Sequence, residues 1–403
     1  MAQSATKQDV QTAFLNGDLK EEVYIQQPEG FIDEEREDNV CKLRKAIYGL
    51  KQASRAWNQK ANQILEDLGF KKCSYEPCLY VLNSDGKIAI LALYVDDFLL
   101  FTDDPKLAES IINSLQRRIN IRNLGSISEY LGIRVRRIGN SIYLDQSTYA
   151  KNVLKRFNHD GCNPLAVPLE PSVRLSTPPS TNHNPKLEYR ELIGSLMYLA
   201  ICTRPDLMFT VSYLSQFSSN YTRQHWSVAT KVLRYLSGTI ENSLVYTKSN
   251  QDVEIYCDAS WGNGPQRHSF TGVASVISNG AVFWKSKKQR GVALSSTEAE
   301  YVSLCQGARH AKYLSNLLYD LINREGPIDI YCDSRGARLT AENQTSGSKL
   351  KHIDLQYHFT QDMVKEDVIK IHPATTDEMP ADVLTKALPR PALNYCKARL
   401  GIL

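Results

Sequence analysis

The 403-residue sequence has little of several features that would narrow its role at once. No apolar run is long enough to cross a bilayer as a helix, and no charged-then-apolar leader opens the chain, so no membrane partner and no secretion signal are expected. Cysteines number nine, and none falls in a CxxC pair; the closest two, Cys73 and Cys78, fit no zinc pattern. An odd, scattered set argues against a disulfide framework and predicts reduced thiols in an intracellular protein. The acceptor tripeptides Asn220-Tyr-Thr and Asn343-Gln-Thr mean nothing without a secretion signal. Excess charge is small too: 48 basic against 44 acidic residues leave +4, which permits nucleic-acid binding without demanding it. What remains is an ordinary globular composition, 42% apolar and 23% charged, long enough for two or more domains.

Within it, Ile88 to Thr102 reads as two strands joined by a tight turn, interrupted by the adjacent carboxylates Asp96 and Asp97. Desolvating two neighbouring carboxylates costs several kcal/mol unless hydrogen bonds or a cation compensate. An isolated Asp-Asp pair is most simply a solvated hairpin tip. Tyr94-Val-Asp-Asp between two hydrophobic strands is rarer, and it resembles the sequence with which reverse transcriptases hold catalytic metal ions. Upstream, Asp9-Val-Gln-Thr-Ala-Phe-Leu-Asn-Gly ends in a turn at Asn16-Gly17. Alone, Asp9 is a surface acid and Phe14 a core aromatic. The stretch also resembles the first metal-binding motif of reverse transcriptases of the Ty1/copia retrotransposon class. That resemblance implies that Asp9 shares the metals with Asp96, with Asp97 beside them, and that Phe14 lies under the incoming sugar and rejects its 2′-hydroxyl.

Tyr48-Gly-Leu-Lys-Gln-Ala-Ser-Arg-Ala-Trp57 is basic with interleaved aromatics and runs into a helix to about Leu68, with Ala56, Ile64, Leu65 and Leu68 on its buried face. It is similar to the second motif of copia-type polymerases, although Ser54 stands where that family usually has proline. By that likeness Lys51, Gln52 and Arg55 contact template and nucleotide, and Tyr94 lines the same path. Pro105 to Ile119 has helical spacing at Leu107, Ile111, Ile112, Leu115 and Ile119; Asn123 to Val135 returns to strands, and Tyr143 to Phe157 reads as a helix. The stretch from His159 to Glu191 carries six prolines, Pro164 to Pro185, among Ser, Thr and Asn, and marks a boundary. Tyr189–Leu199 and His225–Leu236 are amphipathic helices flanking Thr203-Arg-Pro-Asp, with Arg204 and Arg234 as phosphate-contact candidates.

A second set of acids follows. Val253 to Trp261 alternates as a strand holding Asp258; Asn279-Gly280 marks a hairpin; Ser295-Ser-Thr-Glu-Ala-Glu opens a long helix capped by Ser296 or Thr297; Ile328 to Asp333 is a strand ending in an acid; and Met379-Pro-Ala-Asp starts a helix with Asp382 in its first turn. Singly, each acid has a bland reading as a turn acid or a helix N-terminal acid. Jointly, four carboxylates on separate elements can hold two divalent ions about 4 Å apart. The order is similar to the ribonuclease H domain of copia-type elements, which implies Asp258, Glu298, Asp333 and Asp382 as the acids. Glu300 competes with Glu298, and periodicity does not separate them; the family's Thr-Glu at the helix start favours Glu298. Lys285, Lys287, Lys288 and Arg290 form a basic run suited to phosphates or to a solvated loop, and His352 reads as either a substrate-orienting or a structural histidine. Pro373–Pro380 holds no histidine.

The expectation is a mixed α+β and α/β chain: a reverse-transcriptase palm, an antiparallel sheet with helices, plus a ribonuclease H-like mixed sheet flanked by helices. The boundaries expected are 1–163 for palm and start of thumb, 164–188 for a Pro-rich linker, 189–250 for a helical connection and 251–403 for the nuclease. The resemblance implies Mg²⁺ or Mn²⁺, two ions per site, and as partners an RNA template, a DNA primer, RNA–DNA hybrid, deoxynucleotides, and other polyprotein parts such as fingers and integrase. It places the protein in a cytoplasmic particle and the nucleus. Only eight residues precede Asp9, where the family has a fingers region, so weak polymerase activity is expected beside an intact nuclease. The rival reading is a non-catalytic nucleic-acid-binding remnant or domesticated protein.

Overall fold

The computed structural model describes residues 4–176, 188–262, 267–342 and 354–403. Pro178, Pro179, Pro185, the Asn263-Gly-Pro loop and His352 lie outside the described residues. The chain divides into two compact units, Met1–Ile127 with Asn316–Arg324, and Ser128–Ser315 with Glu325–Leu403.

In the first unit the elements are β1 (Ser4–Val10), β2 (Tyr24–Gln26), β3 (Val40–Lys42), α1 (Ala53–Asp67), β4 (Lys71–Lys72), β5 (Leu79–Ser84), β6 (Lys87–Tyr94), β7 (Asp97–Thr102), α2 (Pro105–Gln116) and β8 (Ile121–Ser126). Six of the strands form an antiparallel sheet in the order β4-β5-β6-β7-β1-β8. Two helices cover it because their apolar residues recur on one side. In α1 these are Ala53, Trp57, Ala61, Ile64 and Leu65, and in α2 Ala108, Ile111, Ile112 and Leu115. Ala56 and Leu68, expected on the buried face of α1, are only half-buried. Asp104 starts α2 by accepting from the N–H groups of Lys106 and Leu107, with Pro105 at the first helical position. The sheet order puts β1 between β7 and the edge strand β8, and that placement sets Asp9 opposite Asp97.

The second unit holds β9 (Glu129–Tyr130), β10 (Ile133–Ile138), β11 (Ser141–Asp145), α3 (Ser147–Arg156), α4 (Tyr189–Cys202), α5 (Pro205–Ser215), α6 (Arg223–Ser237), β12 (Leu244–Thr247), β13 (Glu254–Ser260), β14 (Phe270–Ile277), β15 (Gly280–Lys288), α7 (Ser296–Ile322), β16 (Ile328–Cys332), α8 (Arg335–Glu342), α9 (Asp354–Lys365), β17 (Ile369–Pro373) and α10 (Arg390–Arg399). The end of α7 groups with the first unit. A mixed sheet runs β15-β14-β13-β16-β17, antiparallel through β13 and parallel beyond it. A second sheet runs β12-β11-β10-β9.

Several expectations change here. Tyr143 to Asp145 is strand, because those residues pair with Arg136, Val135 and Arg134, and the helix begins only at Ser147. The residues after Thr203 form a helix of their own, α5. The compact units part after Ile127 rather than after Asn163. Three residues of the Pro-rich stretch, Val167, Leu169 and Leu175, are buried in a core that also holds Leu196, Phe209, Leu233, Tyr256 and Phe270. Prolines forbid a regular element there but not burial. One hydrophobic core therefore runs across residue 250, with the rings of Phe209 and Phe270 in edge contact at 5.2 Å. Met379 onward is a short 3-10 turn, Pro380–Leu384, rather than an α-helix start. The hairpin turn falls on Ser278 and Asn279, both at positive φ, one residue earlier than expected. Gly280 begins the next strand, where a Cβ would come within 2.7 Å of Tyr246 and the Val245 carbonyl.

Candidate catalytic sites

In the first unit the β6–β7 turn is Val95–Asp96. Val95 sits at φ 51°, an outlier for a β-branched residue that costs about 1–3 kcal/mol unless its surroundings hold it. Two bonds do so: the Trp57 indole donates to the Val95 carbonyl at 2.6 Å, and the Val10 N–H donates to the Asp96 carbonyl at 2.7 Å. The turn is thereby tied to α1 and to the end of β1. Asp9 and Asp97 are directly opposite across β1 and β7, so their side chains share a face. Lys7, two residues back on that face, forms an ion pair with Asp97 at 3.0 Å. Asp96 Oδ2 accepts from the Tyr48 hydroxyl at 2.9 Å, while its Oδ1 is buried without a hydrogen-bond partner. Burial, then Asp96 and Asp9, raise the Tyr48 phenol, which puts both carboxylates near one ring. Phe14 packs on that ring at 4.4 Å.

Asp9, Asp96, Phe14 and Tyr48 thus form one cluster, with Asp97 beside it but engaged by Lys7. Lys51, Gln52 and Arg55 sit at the N-terminal start of α1, with Lys51 and Arg55 exposed, and Tyr94 is exposed at the end of β6. Tyr48 was in view as part of an aromatic-rich basic stretch, but nothing in the spacing marked it as the residue facing Asp96.

In the second unit four acids come from four elements: Asp258 from β13, Glu300 from α7, Asp333 just after β16 and Asp382 from the 3-10 turn. Three are almost wholly buried, Asp258 at 3% exposed and Glu300 and Asp382 at 9%. Burial, then Asp382, push the Asp258 carboxyl up to about 6. Burial, then Asp258 and Asp333, push Glu300 up to about 9. Asp333 is raised by burial and then by Asp258, and Asp382 is raised by burial. Lys386 pairs with Asp382 at 2.9 Å. Burial alone would lower Lys386, but Asp258, Asp382 and Asp333 outweigh it and raise it. Thr385 donates to Asp258 Oδ2, and Thr376 donates to Asp333 Oδ2 at 3.1 Å.

Glu298 is not the helix acid that meets the others. Its Oε2 accepts from the Leu294 N–H at 2.7 Å, and its own N–H donates to Ser295 Oγ, which caps α7 in place of Ser296 or Thr297. Glu300 faces the cluster instead, and its Oε2 is buried with no hydrogen-bond partner. Arg204 is likewise reassigned. It is 3% exposed and clamps Asp206 at 2.9 and 2.7 Å, with Tyr235 donating to the same carboxylate, so it faces no phosphate. The Arg234 side chain donates to the Asn163 carbonyl at 2.8 Å. The sequence reading passed over Lys386, although its place four residues after Asp382 was a visible signal.

Both clusters fit a hard divalent cation. Each offers oxygen ligands, gathers carboxylates at a cost that a cation would offset, and leaves one buried carboxylate oxygen unpartnered, Asp96 Oδ1 and Glu300 Oε2. All nine cysteines are unpaired. Among the described residues no helix is long and apolar enough to cross a membrane.

Comparison with known proteins adds the following. Residues 3–171 match the family described as reverse transcriptase (RNA-dependent DNA polymerase). The chain is 36% identical over 404 aligned residues to the retrovirus-related Pol polyprotein from transposon TNT 1-94 of Nicotiana tabacum, covering 98% of this chain and 30% of that one. It is 35% identical to a putative transposon Ty5-1 protein of Saccharomyces cerevisiae, covering 73% of this chain and 97% of that protein. Among solved structures, a foamy viral protease-reverse transcriptase in complex with dsDNA is similar at 9% identity and a TM-score of 0.47, over 93% of this chain and 68% of that one. The chain spans about a third or less of the long Pol polyproteins it resembles.

Proposed function

Because this chain belongs to the Ty1/copia-type family of retrotransposon Pol polyproteins, we propose that it carries two phosphoryl-transfer sites. One is a ribonuclease H that cuts the RNA strand of RNA–DNA hybrids, at Asp258, Glu300, Asp333 and Asp382. The other is an RNA-directed DNA polymerase site at Asp9 and Asp96, with RNA template, DNA primer and deoxynucleotides as its partners. The observation that carries the reading is the meeting of four carboxylates from four separate elements in one buried place, where each holds its proton more tightly than usual.

Bound by those acids, a pair of Mg²⁺ or Mn²⁺ ions would activate water and neutralise charge on the leaving 3′ oxygen. The chain's own groups do the rest. Thr385 and Thr376 fix the orientation of Asp258 and Asp333. Lys386 opposes the repulsion among the acids and works against proton uptake at Asp382. In the polymerase site Tyr48 orients Asp96, and Phe14, packed on Tyr48, blocks a 2′-hydroxyl on the incoming sugar.

The test is cleavage of end-labelled hybrid by the whole chain in Mg²⁺ or Mn²⁺. Internal cuts in the RNA should appear, stop with EDTA, and fall about 100-fold or more in Asp258→Asn and Glu300→Gln but not in Glu298→Gln. Hybrid that is bound yet uncut in either metal would leave a binding protein and end the nuclease reading. Primer extension on an RNA template, lost in Asp96→Asn, tests the polymerase site in the same preparation.

A further inference from the structure

Cys332 closes β16 and immediately precedes Asp333, so the strand delivers a thiol and a carboxylate to one place. The Cys332 sulfur and carboxylate oxygens of Glu300 and Asp333 all lie within 4.8 Å of one another. Independently of that spacing, Glu300 is 9% exposed and its Oε2 has no hydrogen-bond partner, so the residue brings a buried, unsatisfied carboxyl oxygen to the group. We propose that Cys332, Glu300 and Asp333 form a binding site for a thiophilic divalent cation, Zn²⁺ or Cd²⁺.

The ligand chemistry sets the preference. Mg²⁺ takes oxygen ligands and gains nothing from sulfur, whereas a thiolate with two carboxylates selects a softer ion. A tetrahedral zinc site with Zn–S near 2.3 Å and Zn–O near 2.1 Å needs S···O separations of about 3.6 Å, which small side-chain rotations can reach here. As the ion binds, the Cys332 thiol and the Glu300 carboxyl, which holds its proton at neutral pH, each release a proton to solvent, and the three ligands then carry one more negative charge than the ion neutralises. Asp333 is half-buried, so its side of the group is the route of entry and the place for a fourth ligand, water. Two of the four nuclease acids would be taken up in this way, so the thiophilic ion and the Mg²⁺ pair exclude each other. That consequence rests on the nuclease reading; the binding itself does not.

The experiment titrates Cd²⁺ into the whole chain in a Cys41→Ser, Cys78→Ser background, which removes the two exposed thiols. The ultraviolet sulfur-to-cadmium charge-transfer band and equilibrium dialysis report binding without any substrate. One tight site is expected, weakened more than about 100-fold by Cys332→Ser, beyond the loss typical of an outer-sphere partner. Asp333→Asn keeps the sulfur and should weaken the same site at least about tenfold, which covers the case in which Cys332→Ser does not fold. Unchanged affinity in either folded variant overturns the proposal. With hybrid present in Mg²⁺, added Zn²⁺ should slow cleavage, and Cys332→Ser should reduce that inhibition factor by a similar ratio. A chain that binds Cd²⁺ through Cys332 but never cuts hybrid would sink the nuclease reading alone.

Discussion

Replacing Glu300 by Gln should stabilise the metal-free protein while ending hybrid cleavage. In the folded chain, burial and then Asp258 and Asp333 push this carboxyl from an ordinary 4.5 to about 9. The folded state therefore keeps the proton at neutral pH, whereas the unfolded chain releases it. A carboxyl raised in this way costs nothing below pH 4.5, costs more as pH rises, and reaches its full cost only near pH 9. At 1.36 kcal/mol for each pH step above the ordinary value, the cost at pH 7 is about 3 kcal/mol. Glutamine has no such proton to release and removes that cost. Melting in EDTA at pH 7 should rise on the order of 3–6 °C. At pH 5 the gain should shrink below about 1 kcal/mol. Mg²⁺ should stabilise the native chain more than the variant and so narrow the gap. Glu298→Ala gives the contrast, because it forfeits the bond to the Leu294 N–H and should cost about 1 kcal/mol at both pH values. A Glu300→Gln variant no more stable than the parent at pH 7, or equally stabilised at pH 5, would refute the reasoning.

Arg204→Met leaves Asp206 buried with its guanidinium partner gone and should cost about 3–5 kcal/mol, seen as a lower urea midpoint; a loss under about 1 kcal/mol would mean the pair is not what holds this core. Lys386→Met removes the cation that opposes proton uptake at Asp258, Asp333 and Asp382, so the acid limb of the cleavage pH profile should move to higher pH; an unmoved limb contradicts it. Phe14→Ala opens the space beside Tyr48, and ribonucleotide incorporation relative to deoxynucleotide should rise in primer extension; an unchanged ratio removes Phe14 from sugar selection.

Local rules were enough for most of the elements that carry the acids, though not for the 3-10 turn of Asp382, which read as a helix start. Alternation placed Asp258 in a strand and Asp333 at the end of one, and the hydrophobic runs around Asp96 placed it in a turn between β6 and β7. Apolar spacing from Pro105 onward marked α2, because residues three and four apart share one face of a helix. The family motifs were legible for the same reason, being contiguous in the chain. Choosing between Glu298 and Glu300 was different. Two residues along a helix turn a side chain through about 200°, so the two acids face nearly opposite ways. Which of them meets Asp258 depends on which side of α7 packs against β13, and the amphipathic pattern is too broad there to say. Arg204 looked like a surface cation because its burial depends on Asp206, Tyr235 and Thr239, drawn together from two helices and the turn after α6. The amino-acid sequence by itself determined most of the strands and helices and which of them carry an acid, since those follow from neighbours in the chain. Only the tertiary structure decided which acids share a site and which are tied up elsewhere, because repulsion, burial and pairing act across space between residues far apart in the chain, such as Thr385 and Asp258, 127 positions apart.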